Sequence, residues 1–183
     1  MHRELPPSHP SARIGENTSQ WMAFAFAAAV AYQVLHWIEH LAQFYQHWWL
    51  GISLLQAHGI IFFFDLEWNH FTFNTLYWIG LIVVFFGAGL HRAASPARGR
   101  PLVFWGFILG GIALQSYHEV EHFAKIYQHL TVGCEPCPGI LGYYLDGVYL
   151  HFALNTLVLI FPLAAFLQYG FLSRLAALAI ART

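Results

Sequence analysis

Between Trp21 and Tyr169 the chain contains four apolar runs, each at least as long as the 20 or so helical residues that cross the roughly 30 Å of a bilayer's hydrocarbon. They extend from Trp21 to Trp49, Phe71 to Leu90, Leu102 to His129 and Val148 to Tyr169. Hydrocarbon offers no partners to backbone N–H and C=O groups, so isolated spans must be helices. The pattern therefore predicts an all-α membrane protein with four transmembrane helices. Composition agrees: 9% of residues are charged and 58% hydrophobic, whereas soluble domains carry about 25% charged residues. With 8 Lys plus Arg against 9 Asp plus Glu, no basic surface is available for a row of phosphates, which excludes nucleic-acid binding as the main role. The first run lacks the short apolar core and small-residue cleavage site of a signal peptide and is read as a retained helix.

The cationic residues place the ends. Arg3 and Arg13 precede the first span, Arg92, Arg98 and Arg100 lie between the second and third, and Arg174 and Arg182 follow the fourth. Short positively charged loops stay cytoplasmic, so both termini and the middle loop are expected in the cytoplasm of a bacterial cytoplasmic membrane. The expected organisation is a polar tail at 1–20, a first two-helix unit at 21–91, a basic loop at 92–101, a second two-helix unit at 102–170 and an amphipathic, interfacial C-terminal tail at 171–183.

The two units repeat each other in sequence. Residues 33–47 align without gaps on residues 115–129, identical at Gln33/Gln115, His36/His118, Glu39/Glu121, His40/His122, Ala42/Ala124, Tyr45/Tyr127, Gln46/Gln128 and His47/His129. Residues 65–76 align on 146–157, identical at Asp65/Asp146, His70/His151, Phe71/Phe152, Asn74/Asn155, Thr75/Thr156 and Leu76/Leu157. Each repeat holds an even number of crossings, so the halves share one orientation and a pseudo-twofold axis is expected along the membrane normal.

The repeated residues are the ones hydrocarbon tolerates least. On an ideal helix Gln33, His36, Glu39, His40, Gln43 and His47 fall within about 120° of arc, and Gln115, His118, Glu121, His122, Lys125 and His129 repeat the stripe. His70 with Asn74, and His151 with Asn155, are spaced i,i+4 on the other two spans. Counting about 1.5 Å per residue from the cytoplasmic ends puts His36, His118, Asn74 and His151 about 22 to 27 Å across, in the outer half of the membrane. Insertion costs roughly 2.5 to 3.5 kcal/mol for an ionised residue near a span's centre, so these groups need a common partner. A transition metal supplies one, since imidazole and carboxylate ligate Fe, Zn and Cu and a bound cation offsets carboxylate charge. The expected ligands are His36, Glu39, His40, His70, His118, Glu121, His122 and His151 around two ions, with Glu39 and Glu121 also in the catalytic role. Asn74, Asn155, Gln33 and Gln115 are expected to hydrogen-bond the ligands, and His47 and His129 to line an access path or a second site. Glu67, which aligns on Val148, is expected to stand apart. A polar packing network or a proton path are the readings without a metal.

His36-Trp-Ile-Glu-His40 and His118-Glu-Val-Glu-His122 resemble the H-x-x-E-H motif of inverted zinc metallopeptidases, which implies two His on zinc and Glu39 or Glu121 as general base. The His-x-x-x-His spacing of the same residues is also similar to the histidine boxes of membrane di-iron hydroxylases and desaturases. That likeness implies two irons and a redox reaction. Haem held by His on opposing helices is a third reading. Cys134-Glu-Pro-Cys137 is expected to form a local disulfide, and it is similar in placement to the redox pair of quinone-linked four-helix thiol oxidases. The apolar stretch from Gly51 to Phe64, with His58 in it, is expected to fold back as a cap. Pro162 is expected to bend the fourth span, and the glycines of 106–111 to allow close packing.

Together these features predict a membrane metalloprotein with a two-ion His/Glu centre. Its expected activity is that of an iron-dependent oxidoreductase, an oxygenase, hydroxylase or quinol-linked enzyme, acting on a hydrophobic or quinone-like substrate. A zinc hydrolase and a non-catalytic haem or metal carrier are the alternatives. The bilayer is the certain partner on this reading, with a second copy or an electron donor as further ones.

Overall fold

A computed structural model describes residue 14 and residues 17–61, 66–94 and 101–181. Most of the N-terminal tail, the tip of the cap stretch at 62–65, and Arg98, Arg100 and Arg182 lie outside the described residues, so the membrane orientation drawn from Arg positions is untouched by it.

Among the described residues every regular element is helical. Helix α1 (Gln20–Phe44) continues through a π-helical turn, Tyr45–Trp49. It is followed by α2 (Glu67–Gly87), α3 (Pro101–Gly106), a π segment (Phe107–Ala113), α4 (Leu114–Val132), α5 (Gly147–Gln168) and α6 (Phe171–Ile180). Three helices are long and apolar enough to cross a membrane, Gln20–Trp49, Glu67–Gly87 and Gly147–Gln168, as befits a membrane protein. The third expected span is helical throughout 101–132 but is not among them. Its second half carries Glu119, Glu121 and Lys125 together with His118, His122 and His129, which lowers its hydropathy. The second helix begins at Glu67, four residues before the sequence-based start at Phe71.

Local chemistry sets the helix ends. The Ser19 hydroxyl accepts from the Met22 amide at 3.3 Å, and the Asp146 carboxylate accepts from Tyr149 at 3.0 Å, so each satisfies an N–H that the first turn leaves open. Gly170, at φ 83°, makes the left-handed turn that folds α6 back onto α1. The expected tail is thus a packed helix, and Phe171 is fully buried in it.

The bundle has two chemically different ends. At the end near α6, Phe26 meets Phe107, Phe166 and Phe171 edge to face at 5.9, 5.4 and 4.9 Å, surrounded by Leu81, Val84 and Val158. Such edge contacts are worth about 0.5–1.5 kcal/mol beyond their area. Helices α5 and α3 approach closely there: a Cβ at Gly106 would stand 2.7 Å from Phe161 Cδ1, and one at Gly110 would run into the same ring. Toward the opposite end, which carries the loops at 50–61 and 133–146, the interior becomes polar. That change of character positions the site.

Gly110→Val should therefore overpack the α5 contact. We expect a loss of about 1–3 kcal/mol, seen as a lower thermal midpoint in detergent by circular dichroism, and largely reversed by adding Phe161→Ala. An unchanged midpoint would contradict the close approach.

Candidate metal centre

Six histidines from four helical segments meet at one level of the bundle. His36 and His40 come from α1, His70 from α2, His118 and His122 from α4, and His151 from α5, and all are buried. The i,i+4 spacing stacks each α1 and α4 pair on one face, bringing the Nε2 atoms of His36 and His40 to 3.2 Å and those of His118 and His122 to 3.1 Å. Two nitrogens held at about 2.0–2.1 Å by one ion, at angles between octahedral and tetrahedral, are about 2.9–3.4 Å apart. Both pairs have that separation. With His70 and His151 they form two triads, His36–His40–His70 and His118–His122–His151, each with ligating atoms within 4.8 Å of one another. Each triad could hold a metal ion.

The triads adjoin. His70 stacks on His122 with ring centroids 5.5 Å apart, and His40 on His151 at 5.6 Å. His40 Nδ1–H donates to Gln43 Oε1 at 2.8 Å and His151 Nδ1–H donates to the Gly147 carbonyl at 2.7 Å. A donor at Nδ1 leaves the lone pair on Nε2, the tautomer that binds metals. Among the described residues, the Nδ1 atoms of His36, His118 and His122 are buried with no hydrogen-bond partner. An ion on Nε2 would not satisfy these Nδ1 atoms, which cost about 1–3 kcal/mol each when bare, so the fit of the site to a metal rests on the Nε2 separations. The donor set fits a bound transition metal.

Beneath the six rings, away from the loops, amides tie the helices together crosswise. Gln33 Nε2 donates to Asn155 Oδ1 at 2.8 Å and Gln115 Nε2 to Asn74 Oδ1 at 2.9 Å. Asn74 and Asn155 in turn donate to the carbonyls of His70 and His151, each at 2.9 Å. The four amides thus support the helices that carry the histidines, and they do not touch the rings through any of these bonds. One turn along, Trp37 donates to Thr156 at 2.8 Å, and at the aligned positions Thr75 donates to Glu119.

Glu39 and Glu121 are not in either triad. Glu39 Oε2 accepts from the backbone amides of Ile60 at 2.7 Å and Ile61 at 3.3 Å. Glu121 accepts from Ile140 at 2.7 Å, Leu141 at 2.8 Å and the Tyr117 hydroxyl at 2.7 Å. Gln46 and Gln128 hold the same loops, each exchanging two hydrogen bonds with one glycine: Gln46 with Gly59 at 2.7 and 3.0 Å, Gln128 with Gly139, both at 2.8 Å. Both glycines have positive φ, 77° and 74°, and a Cβ on either would collide with the carboxylate, so only glycine fits. The repeated carboxylates therefore latch two loops over the histidines. His47 and His129 also bind loop carbonyls, Ile52 at 2.8 Å and Cys134 at 2.9 Å, and His47 reaches Asp146 at 3.2 Å. Neither joins the six-ring cluster.

Under the latched loops lies a cavity of about 470 Å³ whose walls include His40, His70 and His151. Leu54, Leu55, Ala57 and His58 from one loop and Pro136, Cys137 and Pro138 from the other close it. Cys134 and Cys137 form a disulfide, as the spacing leads one to expect. Glu67, expected to stand apart, lines this cavity and pairs with Lys125 at 3.0 Å. Its pairing joins positions on two different helices at which the halves differ, so an alignment weighted toward identities passes over it. Gln46 and Gln128 were visible in the repeat, but their partners are loop atoms that no sequence pattern displays.

Compared with known proteins, the chain matches no family model, no curated protein and no solved structure.

The latch geometry separates two roles for Glu121. As a loop anchor, Glu121→Gln turns an amide N–H toward a backbone donor; exchange at the Ile140 and Leu141 amides should accelerate about tenfold or more, while bound metal is retained. Loss of metal with unchanged exchange would assign the carboxylate to the ion instead.

Proposed function

We propose that this chain is an integral membrane metalloprotein whose two adjoining histidine triads hold a pair of transition-metal ions, and that it is an oxidoreductase acting on a small hydrophobic substrate admitted from the loop end. The third helical run, 101–132, completes four crossings as a tandem two-helix repeat about an axis along the membrane normal, with the loop end outside and both termini in the cytoplasm. The observation that carries this proposal is the pair of buried, all-imidazole triads side by side under one cavity. Reciprocal Gln–Asn bonds and matched loop latches support the repeat.

An imidazole-only donor set suits Zn, Cu, Fe and Ni, and copper heads the affinity order for divalent ions at nitrogen sites. Iron was expected from the likeness of the His-x-x-x-His spacing to the histidine boxes of membrane di-iron enzymes. With Glu39 and Glu121 bound to loop amides, copper becomes the preferred ion, and iron the second. When bound, such a pair supplies two one-electron carriers in contact range of one substrate.

Hydrolysis is less well supported, because a hydrolytic metal needs a positioned base for its water and both candidate carboxylates are occupied by two or three donors each. A porphyrin needs imidazoles on opposite faces of a plane, whereas here neighbouring rings pack directly against one another, with centroids as close as 4.6 Å for His36 and His40.

Protein purified in a mild detergent and loaded with copper should bind about two ions per chain, one for each triad. His40→Ala or His122→Ala should lower that content, with about 10- to 100-fold weaker binding at the affected triad. A hydrophobic hydroquinone should bleach the copper(II) signal of the loaded protein. Failure to bind any transition metal would overturn the metalloprotein reading, and binding of zinc alone with hydrolytic turnover would overturn the redox one.

A further inference from the structure

Lys125 and Glu67 are the charged pair in the wall of the cavity, and they stand where the two halves of the chain part company. Lys125 aligns on Gln43 and Glu67 on Val148. The difference has a direct consequence: Gln43 accepts from His40 Nδ1, whereas Lys125 is turned to Glu67 and His122 Nδ1 has no partner among the described residues. One half uses this position to orient a histidine. The other half uses it to put an ammonium into the wall of a space that also reaches His40, His70 and His151.

Both members of the pair are largely buried, with 12% and 8% of their side chains exposed. A buried ion pair seldom stabilises a fold more than apolar residues of the same volume would, so stability does not explain its presence. Its chemistry does suggest a use. An ammonium carries three N–H donors, and among the described residues Lys125 directs one hydrogen bond, to Glu67 Oε1 at 3.0 Å. Two donors remain beside a cavity whose other walls are largely apolar, including Leu54, Leu66 and Val148. The cavity's 470 Å³ lies in the range of small-molecule sites, which combine apolar walls with a few placed polar groups.

The sign of the site selects the ligand. Glu67 cancels the charge of Lys125, and Glu135 lines the same cavity, so an anionic head group meets no net positive charge from side chains there. A neutral oxygen acceptor on an apolar body meets a strong donor and no such penalty. We infer that the cavity binds a lipophilic carbonyl compound of the quinone or ketone class, with Lys125 donating to its carbonyl oxygen and Glu67 holding the ammonium in place. This rests on the proposed function for its redox meaning, since such a carbonyl would sit beside the triads, but the binding itself requires no metal.

The test compares three probes on the detergent-solubilised full chain, with metal content measured on the same preparations: 2-methyl-1,4-naphthoquinone, 2-methylnaphthalene, which has the same body without carbonyls, and dodecanoate. Wild-type protein should bind the quinone about tenfold or more tightly than either of the others, the advantage expected of one hydrogen bond to a charged donor. The double variant Lys125→Gln with Glu67→Val introduces residues that the chain already carries at the aligned positions. It should retain its metal and lose the preference for the quinone. Equal binding of quinone and hydrocarbon, tighter binding of dodecanoate, or a preference that survives in the double variant would each overturn the assignment. Absence of metal from every preparation would instead defeat the metal centre and leave the carbonyl site standing or falling on its own binding data.

Discussion

Six imidazoles at one level of a helical bundle impose a requirement that the rest of the chain answers. In a membrane setting a polar ring facing lipid has nothing to bond with, so the histidines must face one another, and the helices that carry them must be held in register to about an ångström. The crosswise amides do this. Gln33 with Asn155 and Gln115 with Asn74 join α1 to α5 and α4 to α2 immediately next to the histidine layer, and each asparagine is itself fixed by the carbonyl of the histidine one turn away. Buried hydrogen bonds of this kind contribute only about 0.5–1.5 kcal/mol each; their larger effect is that any other register would leave four amides bare. The aromatic packing around Phe26 at the opposite end is independent of this demand and secures the bundle there.

The same logic extends to the loops. A buried carboxylate placed one residue before a triad histidine must find donors, and in this chain the donors are backbone amides of the loops that roof the cavity. Glu39 and Glu121, with Gln46 and Gln128, make the roof part of the helices that carry the triads. Movement of either loop would therefore be felt one residue away from His40 or His122, and the cavity's shape and the histidine positions are mechanically joined.

Three of the four expected spans and the histidine stripes were legible in the sequence: hydropathy marks a span over about 20 residues, and the 3.6-residue repeat puts His36, His40, Gln33 and Gln43 on one face. Grouping His70 and His151 with them followed from the second aligned block. Glu39 and Glu121 share the stripe but lie outside both triads. A residue next to His40 lies about 100° around the helix from it, which turns the carboxylate toward the neighbouring loop, and that loop's path depends on positive φ at Gly59, a conformation no side-chain pattern announces. Glu67 was set apart for the opposite reason. It was judged by its lack of an aligned counterpart, although positions where the two aligned stretches differ can give the cavity wall a direction. Lys125 in place of Gln43 gives the cavity that direction.

The all-imidazole composition of the two triads is the claim from which the choice of metal and of reaction descends, and X-ray absorption at the metal edge of the copper-loaded protein tests it most directly. The account predicts a first shell at about 2.0 Å dominated by nitrogen, with the outer-shell scattering pattern of about three imidazoles per ion, as the two triads require. A first shell of mixed oxygen and nitrogen that loses its oxygen in Glu39→Gln and Glu121→Gln would contradict it, and would return the carboxylates to the metal.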